Sequence, residues 1–83
     1  MNFILLSPQR KLYEGEVDSV TVPGMKGSFT VWENHAALIS TLRSGELILR
    51  QDGKELKTFN VDGGFVEVRD NKVSVCVERV LDK

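Results

Sequence analysis

One cysteine, one histidine and two prolines are all that 83 residues hold of the types that staple, ligate or interrupt a chain. A lone Cys76 excludes an internal disulfide and fits a reducing compartment. A lone His35 would leave zinc to be held mostly by carboxylates, against its preference for nitrogen and sulfur donors, so no metal or other cofactor is expected. The opening apolar run, Phe3 to Leu6, has four residues and no basic segment ahead of it. That is too short for an export signal and far too short to cross a bilayer. The expected location is the cytoplasm, with membrane association only through a partner. Charge of one sign is also missing: 11 basic residues face 12 acidic ones, for a net charge of −1. The basic residues (Arg10, Lys11, Arg43, Arg50, Lys57, Arg69 and Arg79 among them) are scattered. Binding to a phosphate backbone needs them gathered, so nucleic acid is not an expected partner.

What the chain has is strand signal. Its hydrophobic fraction, 41%, suffices for one core, and residues 1–83 read as one domain. A chain this size buries only about 60–65% of its unfolded surface. "NFILLS" is apolar and stops at Pro8; "EGEVDSVTVPG" alternates at Val20 and Val22 and stops at Pro23-Gly24. "SFTVW" sets Phe29 and Val31 on one side. "ELILRQDGKELKTFNV" reads as a hairpin turning at Asp52-Gly53, a pair that tolerates the positive φ of tight primed turns. "FVEVRDNKVSVCVE" reads as a second hairpin turning at Asp70-Asn71, with Val66, Val68, Val73, Val75 and Val77 in period two. "HAALISTL" comes closest to a helical period but reads as a strand or an irregular crossover. Turn signals every eight to twelve residues predict an all-β fold: an antiparallel sandwich or flattened barrel of about 8–10 short strands.

Catalytic constellations are not found. His35 has no evident acid or nucleophile partner and is expected to fix a turn through its ring. Gly24 and Gly27 are not followed by the lysine of a phosphate-binding loop and read as a tight turn. Gly63-Gly64, inside a strand-like run, point to a bulge or a close backbone approach. Glu14, Glu16 and Asp18, at alternate positions, would share one strand face; that face is either solvated or a contact surface for a basic partner. Phe29 reads as core, whereas Trp32 reads equally as core or as an interface anchor. Cys76 reads as a structural thiol.

The stretch "VPGMKGSFTVWENHAALISTLRSGEL" resembles the signature region of the epsilon subunit of bacterial F-type ATP synthases. There a strand ends in a G-x-x-G turn, followed by a short strand, an H-A-P-L segment and an L-x-P-G step. "LLSPQRKLYEGEVDSVTVPG" is similar to the family's first two strands, and "DGGFVEV" with "NKVSVCVE" to its last two, so the resemblance covers nearly the whole chain in order. It implies a β-sandwich on the rotor stalk that clamps the gamma subunit and rests on the polar loops of the c-ring. Such a subunit is peripheral on the cytoplasmic face of the bacterial membrane and does no chemistry itself. By position, Ser7, His35 and Ser40 would face gamma, and Gly24, Met25, Lys26, Gly27 and Ser28 would approach the c-ring. Three positions depart from the pattern. Ser28 stands where the family usually has an acid, unless Glu33 or Glu16 compensates; Ala37 and Ser44 stand where it has proline. A sequence stopping at Lys83 also lacks the family's C-terminal helical pair, so neither helix-mediated inhibition of ATP hydrolysis nor nucleotide binding there is expected. The rival reading is a free-standing β-sandwich adaptor that binds a peptide or protein at a strand edge.

Overall fold

A computed structural model describes residues 1–81. It contains nine strands: β1 Asn2–Leu6, β2 Lys11–Glu16, β3 Ser19–Gly24, β4 Gly27–Trp32, β5 Leu38–Leu42, β6 Gly45–Gln51, β7 Lys54–Val61, β8 Gly64–Arg69 and β9 Lys72–Val77. "HAALISTL" resolves into a turn followed by β5. The strands are hydrogen-bonded in the order β2-β1-β9-β8-β5-β3-β6-β7, with β4 added on β3. The sheet folds over where β5 passes into β6 through Arg43-Ser44, because β3 pairs with β6 at Ser19–Thr21 and with β5 at Gly24↔Leu42. Two layers result, β2-β1-β9-β8-β5 and β4-β3-β6-β7, the predicted sandwich.

The period-two pattern decides which face is inside. Phe3 and Leu5, Val20 and Val22, Leu47 and Leu49, Val66 and Val68, and Val73, Val75 and Val77 are all buried and form one core with Val17, Val31, Leu42, Phe59 and Val61. On the side where β2 and β7 approach, rings close the gap. Tyr13 lies edge-on to Phe59 with centroids 5.7 Å apart, and 6.2 Å from Phe3.

Both predicted hairpins form. Asp52 and Gly53 (φ 55° and 74°) and Asp70 and Asn71 (φ 52° and 60°) each place two consecutive residues at positive φ, as a primed two-residue turn demands. The Gly63-Gly64 reading also holds. At Gly64 (φ 125°) an added methyl group would overlap the Cys76 carbonyl oxygen and stand 2.8 Å from Val77 Cα.

Two features differ from expectation. One pairing, β1 with β9, is parallel. Two hairpins, β1–β2 and β8–β9, meet with their inner strands running the same way, a relation no local turn signal encodes. In addition, "EGEVDSVTVPG" is two strands. The chain bends at Val17-Asp18, where Val17 turns into the core and the Asp18 carboxylate accepts the Asp52 N–H at 2.6 Å. Glu14, Glu16 and Asp18 therefore do not line one strand face. Glu14 pairs with Lys11 at 2.7 Å, and Glu16 lies 3.3 Å from the Met1 amino group.

Candidate docking surface

The β3–β4 hairpin turns at Met25-Lys26, and the positive φ falls on Gly27 (133°), where no side chain would meet an obstacle. Gly24 is buried; Met25, Lys26 and Ser28 are exposed, Met25 by 57%. Backbone bonds fix this tip to β5: the Met25 N–H donates to the Thr41 carbonyl at 3.2 Å, and the Arg43 N–H to the Pro23 carbonyl at 2.9 Å. An open groove of about 510 Å³ runs between the tip and β5, lined by Met25, Lys26, Phe29, Ile39, Ser40 and Thr41 among others. Gly24, Met25, Lys26 and Gly27, expected to approach the c-ring, thus share a groove with Ser40, which was expected to face gamma; Ser28 does not line it.

The other two expected gamma residues lie apart. Ser7 follows β1 in the β1–β2 turn, where its hydroxyl donates to the Arg10 carbonyl at 3.3 Å. It lines a second groove with Leu6, Phe65 and Cys76. His35 closes the turn after β4, its N–H donating to the Trp32 carbonyl at 3.1 Å. Its ring Nδ1 lies 2.7 Å from the Ala36 carbonyl, which can only accept, so Nδ1 carries the proton. A ring fixing its own turn is what the sequence suggested. The Asn34 N–H beside it donates to Asn71 Oδ1 at 2.8 Å, which sets His35 against the β8–β9 turn. Ser7 and His35 therefore stand at opposite ends of the five-stranded layer.

Between them lies a surface that residue polarity did not reveal. Register places Leu6, Cys76, Phe65 and Thr41 in one outward row across β1, β9, β8 and β5, and Ile4, Ser74, Glu67 and Ile39 in the next. Ile39 is 72% exposed and Phe65 45%, and Trp32, on the outer face of β4, is 61% exposed. Phe29, on the opposite face of β4 from Trp32, packs partly into the core.

Glu33 and Glu16, named as the acids that could stand in at Ser28, are held elsewhere. Glu33 follows β4 at the end away from the turn, so roughly 20 Å of strand separates it from the Met25-Lys26 tip. It is committed there: the Met1 amino group donates to one carboxylate oxygen, and Asn71 Nδ2 to the other at 3.1 Å. The first of these bonds, then the second, holds the Glu33 carboxyl below its ordinary range. Glu16 shares the same amino group. Both acids are thus engaged at the amino terminus, away from the Met25-Lys26 tip. Among the described residues, no three His, Cys, Asp or Glu side chains converge as a metal site.

The family model described as "ATP synthase, Delta/Epsilon chain, beta-sandwich domain" matches residues 1–83. The chain belongs to this family. A relative from Leptospira borgpetersenii, "ATP synthase epsilon chain", is 47% identical over 78 residues, which cover 94% of this chain and 61% of the relative. A relative of the same description from Caulobacter vibrioides is 38% identical over 82 residues, covering 99% of this chain and 94% of that one. This chain thus spans about three fifths of the Leptospira relative and nearly all of the Caulobacter one. Among solved structures, a chain of the Tetrahymena thermophila mitochondrial ATP synthase central stalk and c-ring superposes with a TM-score of 0.81 at 23% identity. That match covers 98% of this chain and 65% of the other. A chain of the Euglena gracilis mitochondrial ATP synthase gives 0.85 at 22% identity, covering 95% and 51%. At such identities the likeness establishes the sandwich fold. The relatives are named as the epsilon chain of an ATP synthase.

Proposed function

We propose that residues 1–83 act as one rigid unit of the rotor stalk, coupling a gamma subunit to the c-ring of a rotary ATP synthase while the chemistry proceeds elsewhere. The observation that carries this reading is the family match over the whole chain. Two features of the molecule support it. A rigid hairpin tip, Gly24 to Ser28, projects an exposed methionine and lysine and suits contact with polar loops of the ring. The outer face between Ser7 and His35, with Ile39 and Phe65 exposed, suits a protein partner. In this reading Ser7, His35 and Ser40 border the gamma contact, and Gly24, Met25, Lys26, Gly27 and Ser28 form the ring contact. The assembly works on the cytoplasmic face of the membrane, held there by its partners.

Without an acid at Ser28, the ring contact depends on backbone, the Met25 side chain and the Lys26 charge rather than on a carboxylate pairing with a basic loop. Titration of the isotope-labelled chain with purified gamma should shift amide resonances at Ser7, His35 and Ser40, and addition of detergent-solubilised c-ring should shift those of Met25 to Ser28. No complex with gamma at micromolar concentration would overturn the stalk reading and favour a free-standing strand-edge adaptor.

A further inference from the structure

We infer that β4 is a strand-addition edge, which takes up an extended, uncharged segment of the stalk partner as one more strand of the sheet. The inference rests on the stalk reading and adds how the partner is held.

The direction of each backbone group follows from the bonds around β3. The Pro23 carbonyl accepts from Arg43 and the Met25 N–H reaches Thr41, so odd-numbered residues of β3 aim their backbone groups at β5 and β6. Val20, Val22 and Gly24 then aim at β4, where they face Val31, Phe29 and Gly27. The alternate residues of β4 are left pointing outward. Among the described residues, nothing pairs with the backbone N–H and C=O of Ser28 and Thr30 or with the N–H of Trp32, whose carbonyl is used by His35. Among the described residues no strand pairs with this side of β4.

The other long edges are guarded. β2 carries Lys11, Glu14 and Glu16, and its register shifts between Leu5 and Leu6 of its partner, which leaves Leu12 as an extra residue. β7 carries Lys54, Glu55 and Lys57, has a second shift that ejects Leu56, and is capped at its far end by the Val61↔Val80 bridge and a 2.6 Å bond from the Leu81 N–H to the Asn60 carbonyl. Charges, bulges and coverage are how proteins keep edges from recruiting strands. β4, "GSFTVW", has no charge, no proline and no break in register.

The same facts select the occupant. Only a peptide backbone supplies acceptors and donors at strand spacing, and a charged side chain laid along this neutral edge would lose hydration with nothing to pair it. The edge also runs from the ring-facing tip to the His35 turn, so a partner held at His35 passes alongside it. Four or five extended residues would meet every free group.

Amide hydrogen exchange on the wild-type chain, alone and with purified gamma subunit, tests this. Ser28, Thr30 and Trp32 should exchange freely alone and about 100-fold more slowly in the complex. Thr30→Pro, which removes one outward donor at an edge position where proline is tolerated, should weaken binding roughly tenfold. Should that variant fail to fold, exchange on the wild type still decides. A complex in which these three amides stay unprotected overturns the inference and leaves the stalk reading standing. Absence of any complex overturns both, and protection without gamma in a chain that sediments as a dimer overturns it in favour of self-pairing.

Discussion

Replacing Gly64 by alanine should be among the most damaging single-methyl additions this fold can receive, and Gly27 supplies the control. Both glycines sit at similar positive φ, 125° and 133°. Each substitution therefore incurs a comparable backbone penalty, about 1–2 kcal/mol, and a comparable restriction of the unfolded chain. Their surroundings differ. At Gly27 the added methyl meets nothing within 4 Å. At Gly64 it overlaps the Cys76 carbonyl oxygen and presses on Val77 Cα at 2.8 Å, and these are backbone atoms of the paired strand that cannot rotate away. Relief requires β8 and β9 to part where Gly64 faces Val77, which adds about 1–3 kcal/mol of overpacking and the net loss of about one hydrogen bond. The expected costs are about 1–2 kcal/mol for Gly27→Ala and about 3–5 kcal/mol for Gly64→Ala, out of a total near 4–12 kcal/mol for a domain of this length. Urea unfolding followed by far-UV circular dichroism, with the slope unchanged between variants, measures the difference. Equal losses in the two variants, within about 0.5 kcal/mol, would refute the claim that close strand approach dictates Gly64.

The Ser44 hydroxyl donates to the Asp62 carboxylate at 2.6 Å, and this bond, with Arg79 adding to it, holds the Asp62 carboxyl below its ordinary 3.8. A depressed folded-state pKa gives stability that is present above the unfolded value and lost as pH falls through the folded one. Asp62→Asn should therefore flatten the acid limb of the stability curve below about pH 4, and Ser44→Ala should raise the Asp62 carboxyl titration seen by NMR. An unmoved titration in Ser44→Ala would place the cause elsewhere. Asp18→Ala removes the 2.6 Å acceptor of the Asp52 N–H and should cost about 1 kcal/mol by chemical denaturation, with the Asp52-Gly53 turn amides exchanging faster.

Much of the fold was legible because it is written locally. Val73, Val75 and Val77 alternate inward as their spacing demands, and Asp52-Gly53 and Asp70-Asn71 turn where two positive φ values are cheapest. Relations between distant segments were not legible. The parallel β1–β9 pairing joins residues about seventy positions apart, and nothing in "NFILLS" specifies its neighbour or its direction. The break at Val17-Asp18 was hidden for a similar reason. The apolar period does change phase there, from Val17 to Val20 and Val22, but the bond that explains the bend runs from Asp18 to a turn thirty-four residues away. Ser44 adds a local case. Where the resemblance has proline to stiffen the step into β6, this chain ties the same point down with a side-chain bond to Asp62.

The docking surface was less legible because polarity misleads on β5. In "LISTL" the register sets Ser40 opposite buried Val66 and Leu42 on the inner side, while Ile39 and Thr41 face out. The pairing leaves the isoleucine 72% exposed and the serine half-buried, the reverse of what side-chain polarity favours. A strand that turns its larger apolar residue to solvent gives up the burial that favours the opposite face, about 1.5–3 kcal/mol for a side chain of this size. On β4, Phe29 and Val31 turn inward and the alternation leaves Trp32 outward, beside an edge without charges. Two large apolar side chains left outward on β5 and β4 are hard to reconcile with a surface meant only for water. They are what a sheet needs if another protein is to complete it.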